Sequence, residues 1–139
     1  MSIAEKEQEI IEDFSVYSDW MEKYEYIIEL GKDLPVINEE YKVEENIIKG
    51  CQSTVWLYAE KLNGNVIFTA DADAIITKGL IALLVSVLSN ETPDEILNAE
   101  LKFIKEIGLQ EHLSPTRSNG LVAMVKQMKL YALALKMKG

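Results

Sequence analysis

Thiol and imidazole are nearly absent: the chain holds one cysteine, Cys51, and one histidine, His112, in 139 residues. A single thiol cannot close an internal disulfide, and alone it cannot ligate a structural zinc. Proline and glycine are scarce, at 3 and 7 residues, beside 48% apolar and 27% charged residues. That balance excludes disordered and collagen-like chains and predicts a soluble globular one. No apolar run approaches the ~20 residues that span a bilayer. The longest, Gly79 to Leu88, fits a buried helix. The start, Met1-Ser2-Ile3-Ala4-Glu5-Lys6-Glu7, lacks the basic and apolar regions of a secretion signal, so a cytoplasmic location is expected.

Positive charge is also in short supply. The net charge is −9, and residues 1–60 carry 15 Asp and Glu against 5 Lys and Arg, while residues 61–139 carry 8 against 9. Phosphate backbones would repel such a chain, which argues against nucleic acid as a partner. The acidic half reads as solvated helix faces, with steering toward a basic partner surface as the alternative.

What is present is the patterning of one α+β domain, residues 1–139, of the size that buries a full core. Ile3, Ile10, Ile11 and Phe14 among acids predict an amphipathic helix over 3–14. A second helix is predicted from Asp19, a candidate N-cap, to Leu30, with Trp20, Tyr24, Ile27 and Ile28 on one stripe and Gly31 as its stop. Residues 32–46 have no clean period and contain Pro35, which predicts an ordered loop. Ile47-Ile48 is a candidate strand. Thr54 to Leu62 and Val66 to Ala70 flank Asn63-Gly64, the strongest short hairpin signal, with Val55, Leu57 and Ala59 on one face and Trp56 and Tyr58 on the other. The sheet should therefore be small and antiparallel, of two or three strands, with helices packed around it. Asp71 or Asp73 is expected to cap a central apolar helix running to Leu88. Thr92-Pro93-Asp94-Glu95 is a capping box, and 99–107 predicts a short helix with Leu101, Ile104 and Ile107 as its apolar set. Ser114-Pro115 or Ser118 opens the last helix. Its stripe is Leu121, Met124, Val125, Met128, Tyr131, Ala132 and Leu135, and Lys126, Lys129, Lys136 and Lys138 suit its negative end.

A free cysteine is ordinarily a small buried hydrophobe. Cys51 departs from that because Gly50, Gln52 and Ser53 around it are turn residues, and loops carry function more often than core elements do. Gly50 removes bulk beside the thiol and permits a conformation that exposes it. Lys49 is close enough in sequence to favour thiolate. At an ordinary thiol pKa of about 8.5 only ~3% is ionised at pH 7, and a drop of one unit raises that roughly eightfold. Attack on the outer sulfur of a donor persulfide needs that thiolate, and it needs a mobile loop, but no metal or cofactor. A turn beside a hairpin meets the requirement. Partial burial in a shallow apolar hollow is expected at rest.

The segment Glu45-Asn46-Ile47-Ile48-Lys49-Gly50-Cys51-Gln52-Ser53-Thr54-Val55-Trp56-Leu57 resembles the cysteine block of the SufE family, Gly-Cys-Gln-Ser followed by Val-Trp. Asp71-Ala72-Asp73-Ala74 and Ile76-Thr77-Lys78-Gly79-Leu80 resemble that family's next block, with Ala72 replacing the common serine. Leu113-Ser114-Pro115-Thr116-Arg117-Ser118-Asn119-Gly120-Leu121 resembles a third, and the three fall in order over nearly the whole chain. The resemblance implies a SufE-like fold, also seen in IscU-type scaffolds. It implies that Cys51 accepts sulfane sulfur as a persulfide from a SufS-like cysteine desulfurase and stimulates that enzyme. The sulfur then passes toward a SufBCD-like complex that assembles iron–sulfur clusters. It implies no cofactor in this chain, since PLP belongs to the desulfurase, and a monomer or homodimer.

Asp73 is expected to hold the cysteine loop or cap a helix, Arg117 to pair with an acid or present the loop, and Gln52 and Ser53 to hydrogen-bond the persulfide loop or shape its turn. Lys78-Gly79 reads as packing, with Gly79 allowing close approach to the sheet. His112 reads as a surface or capping residue with no metal-ligand spacing around it. Two other functions compete: a cysteine hydrolase with His112 as base, and a thiol redox sensor. A cluster scaffold needs several cysteines, and this chain has one.

Overall fold

The computed structural model describes residues 1–138. Among them are seven α-helices and one two-stranded antiparallel sheet, the α+β class expected, with the smaller of the two strand counts. Asn63 and Gly64 both take left-handed backbone, with φ of 53° and 83°, the geometry of a type I′ turn. That turn sets Leu62 opposite Asn65 and so fixes the register of β1 (Val55–Leu62) and β2 (Asn65–Ala72), which ends at Val55 opposite Ala72. Val55, Leu57 and Ala59 are buried, while Trp56 and Tyr58 on the other face are half-covered. Ile47-Ile48 does not form a third strand. It makes one bridge, Ile47 to Trp56, because the chain turns away at Lys49 after a single hydrogen bond from Ile48 N–H to Val55 O.

The helices follow the local signals at most of their ends. α1 (Ile3–Ser15) opens on a capping box between Ser2 and Glu5. α2 (Trp20–Lys32) starts at Asp19, whose carboxylate accepts the Glu22 N–H at 2.9 Å. Gly31, expected to stop α2, lies buried inside it. Its role is contact: α3 (Ile75–Leu88) crosses α2 here, and a Cβ on Gly31 would stand 3.0 Å from Gly79 N. A Cβ on Gly79 would overlap the Ile27 carbonyl, so the close approach at Gly79 is to α2 and not to the sheet. The 32–46 segment holds two single-turn 3₁₀ helices, Glu39–Tyr41 and Glu44–Asn46.

α3 is the core's centre. Leu80, Ile81, Leu83, Leu84, Val85, Val87 and Leu88 are all buried, and the helix packs on α1, α2 and β2. Neither Asp71 nor Asp73 caps it: Asp71 pairs within β2, and the helix begins after Ala74 with no side-chain cap. α4 (Pro93–Asn98) has the Thr92–Glu95 box as expected. The helix expected over 99–107 is instead α5 (Phe103–Glu106), followed by α6 (Leu109–His112). Left-handed backbone at Leu101, φ 55°, and at Gly108, φ 73°, bounds the first of them. α7 (Pro115–Met137) starts at Ser114, and Leu121, Met124, Met128 and Ala132 of its predicted stripe are buried. The Tyr131 hydroxyl lies 2.9 Å from both Asn46 Oδ1 and Leu57 O, tying α7 to β1 and the segment before it. Lys6 and the buried Glu91 form an ion pair of 2.5 Å that joins α1 to the turn after α3. No helix among the described residues is long and apolar enough to cross a membrane.

Candidate functional site

The cysteine loop is an excursion between Ile48 and Val55, whose backbone hydrogen bond of 2.8 Å closes its base. Its exit is held more firmly than its tip. Thr54 N–H donates to the Asp73 carboxylate at 3.0 Å, and Asp73 N–H donates to Thr54 O at 3.1 Å. Asp73 is thus a clamp on the loop and not a helix cap. Gly50 turns the chain at φ 94°, a left-handed conformation that favours glycine, with Ala123 of α7 against it.

Cys51 follows, half-buried, its Sγ 3.7 Å from Gly120 O of α7. The contact is a weak S–H donor on a helix carbonyl. Burial pushes the thiol above its ordinary pKa, and no charge offsets it. Lys49, expected to favour thiolate, does not: it lies exposed, outside the hollow that holds the sulfur. The resting thiol is protonated and shielded.

That hollow has a volume of about 360 Å³. The loop supplies Cys51, Gln52 and Ser53; the start of α3 supplies Ala74, Thr77 and Leu80; the start of α7 supplies Ser114, Thr116, Arg117, Gly120 and Met124. Two helices therefore begin at the wall of the hollow, and their N-terminal ends carry partial positive charge. Arg117, the chain's sole arginine, adds a full one, and it has no ion pair among the described residues, so the expected acid partner is not seen. Its N–H is capped by Ser114 Oγ at 3.2 Å. Thr77 Oγ1 donates to Ser53 Oγ at 3.3 Å, and Gln52 stands exposed at the rim. The hollow is more polar than the apolar one expected.

All four predicted site residues meet around this loop: Cys51, Gln52 and Arg117 line the hollow and Asp73 clamps its edge. His112 does not join them. Its ring stacks on Trp20 at 4.1 Å between centroids, its Nδ1 lies 3.0 Å from Gly108 O, and its carbonyl accepts the Tyr24 hydroxyl. Sequence reasoning misses Thr77, Thr116, Gly120 and Met124 as parts of the site. The 117, 120, 124 spacing on one helix is a usable signal; Thr77 has none.

A second polar group braces the flank. Asp71 pairs with Lys42 at 2.9 Å and Lys78 at 3.4 Å, and Lys42 also lies 4.7 Å above the Trp56 ring. Burial raises the Asp71 pKa, but the Lys42 hydrogen bond, the Ala72 N–H and Lys78 outweigh it and hold the carboxyl below the usual range.

Fold and site together define a class: an α+β protein that presents one sheltered thiol between two helix starts. The family model described as "SufE: Fe-S metabolism associated domain" matches residues 8–132. The chain belongs to the SufE family, and its role lies in iron–sulfur metabolism. The fold is also that of a hypothetical protein from Thermus thermophilus, known from a solution structure. The two are 22% identical over 95% of this chain and 96% of that one, with a TM-score of 0.79.

Proposed function

We propose that Cys51 is a sulfur acceptor and carrier. A PLP-dependent cysteine desulfurase, SufS-like, presents a persulfide on its own cysteine. Cys51 thiolate attacks the outer sulfur, the donor's S–S bond breaks, and the donor cysteine leaves as thiolate. The products are a Cys51 persulfide and a free donor thiol, with no net oxidation. Unloading the donor in this way stimulates the desulfurase, and the sulfur passes on to a SufBCD-like scaffold complex.

The observation that carries this reading is the half-buried sole thiol on a loop tied at its base and exit, its sulfur held by a single weak hydrogen bond to Gly120 O. In the hollow, burial keeps the proton on sulfur, so the thiol is quiet. Drawn outward by a partner, it regains its ordinary acidity and reach. On return, two helix starts and Arg117 give an anionic persulfide a positive surrounding, which a neutral thiol does not need. Redox sensors use low-pKa thiols, and this one is raised. A hydrolase needs a base at the sulfur, and His112 is stacked on Trp20.

The test is mass spectrometry after incubation with a cysteine desulfurase and free cysteine. Cys51 gains about 32 Da, one sulfur, that reductant removes, and Cys51→Ser gains nothing. An unchanged mass with a matched, active desulfurase overturns the proposal.

A further inference from the structure

The face of α7 turned away from the cysteine hollow is neither core nor ordinary surface. Val122, Leu130, Leu133 and Met137 are 55%, 47%, 42% and 80% exposed. Their successive positions, two turns and then one turn apart, place them on one side of the helix. The stripe runs about 22 Å at the helical rise of 1.5 Å per residue. Beside its N-terminal half the chain forms a second hollow of about 490 Å³, lined by Leu101, Ile104, Leu121 and Val125, with Lys102, Lys105 and Lys126 and one acid, Glu100, along it. It shares no lining residue with the cysteine hollow.

Charge is segregated here. No Asp or Glu follows Glu111, although the whole chain carries −9. Lys126 and Lys105 make no ion pair among the described residues, and Lys102 has only an exposed contact of 3.4 Å with Glu100. Elsewhere on α7 a lysine is matched, as Lys136 is by Asp94 of α4 at 2.6 Å.

We propose that the α7 stripe and its hollow form a docking groove for an acidic amphipathic helix of a partner protein. An occupant must be long, apolar along one side and negative beside it, which describes such a helix of about four turns. A small anion would use only one end of the stripe. Pairing with a second copy through the same stripe would set Lys126 of each chain near the other's lysines. The acidic α1 of a second copy fits poorly, because its Ile3, Ile10 and Phe14 are buried in its own core. A flat anionic membrane would meet the stripe but would not fill the hollow beside it, as a helix can. Because the two hollows lie on different faces of α7, the groove is filled without covering Cys51. This inference does not depend on the sulfur chemistry.

The probe is a fluorescent stapled helix of about 18 residues, leucine along one side and glutamate flanking it. It is titrated into the full chain by anisotropy, with amide NMR shifts mapping the contact. Saturable, salt-sensitive binding is expected, with shifts at Val122, Lys126 and Leu133. The exposed double substitution Lys105→Glu with Lys126→Glu should weaken it about tenfold or more, with circular dichroism unchanged. Leu133→Ser should weaken it as well, and Cys51→Ser should bind as the parent does. Lack of saturable binding, shifts confined to other faces, or equal binding of a peptide with lysine in place of glutamate overturns the proposal. So does binding to phosphatidylglycerol vesicles without peptide binding, or a concentration-dependent dimer that Leu133→Ser dissolves.

Discussion

The α2–α3 crossing and the cysteine loop each depend on glycine, and they use it for opposite ends. At the crossing, Gly31 and Gly79 remove side chains so that two backbones touch, with no room for a Cβ on either. In the loop, Gly50 supplies a turn at φ 94°, and the sulfur of the next residue makes one weak hydrogen bond. The neighbouring elements are rigid where they hold the loop's base and exit, at Ile48–Val55 and Thr54–Asp73. The proposed carrier role would use that division: a held base and exit, and a tip that a partner can draw out. Local stability follows the density of contacts, so the loop tip should open more readily than the helix crossing.

The comparison breaks first at its chemistry. Cys51→Ser should abolish sulfur loading while changing unfolding free energy by about 1 kcal/mol or less, read by mass spectrometry and urea denaturation. Loading of the serine variant would mean another acceptor. Next, Gly79→Ala should destabilise by about 3 kcal/mol, because its methyl meets the Ile27 backbone and α2 must move. A loss below about 1 kcal/mol would show the crossing to be softer than its geometry. Asp73→Ala should cost about 1 kcal/mol and speed iodoacetamide alkylation of Cys51, since the Thr54 N–H loses its acceptor. Asp73→Asn retains an acceptor oxygen and should restore the slow rate. Gly50→Ala should cost about 1 kcal/mol through left-handed strain, with a close 3.3 Å approach to Ala123.

The smallest effect is the dependence on pH. Burial raises the Cys51 pKa in the folded state, so folding favours the protonated thiol. Its contribution to stability is present below the ordinary thiol pKa and is lost as pH rises through the native one. Alkylation of the native protein should therefore reach half its maximal rate at higher pH than in urea. Coinciding pH profiles would contradict a sheltered thiol.

Much of the fold is legible at short range. Asn63-Gly64 specifies the hairpin and its register, since both turn residues must accept positive φ and few others do so readily. Thr92-Glu95 and Asp19 mark helix starts because a side chain three residues from an N–H can reach it. Cys51 stands out by being alone among turn residues. Gly31 reads as a stop, and Asp73 divides between cap and clamp, for one reason. A glycine inside a helix and a glycine ending one look alike until the crossing helix is in place, and the N–H that Asp73 accepts belongs to a residue 19 positions away.

Residue order alone therefore settles which segments coil, pair or turn, where one thiol sits, and to which family the blocks point. The hollow, the upward shift of the sulfur's pKa, the lone Arg117 beside it and the bare stripe on α7 come from assembly. Desolvation, cavity shape and unmatched charge depend on what approaches from far along the chain, and no local pattern encodes that approach.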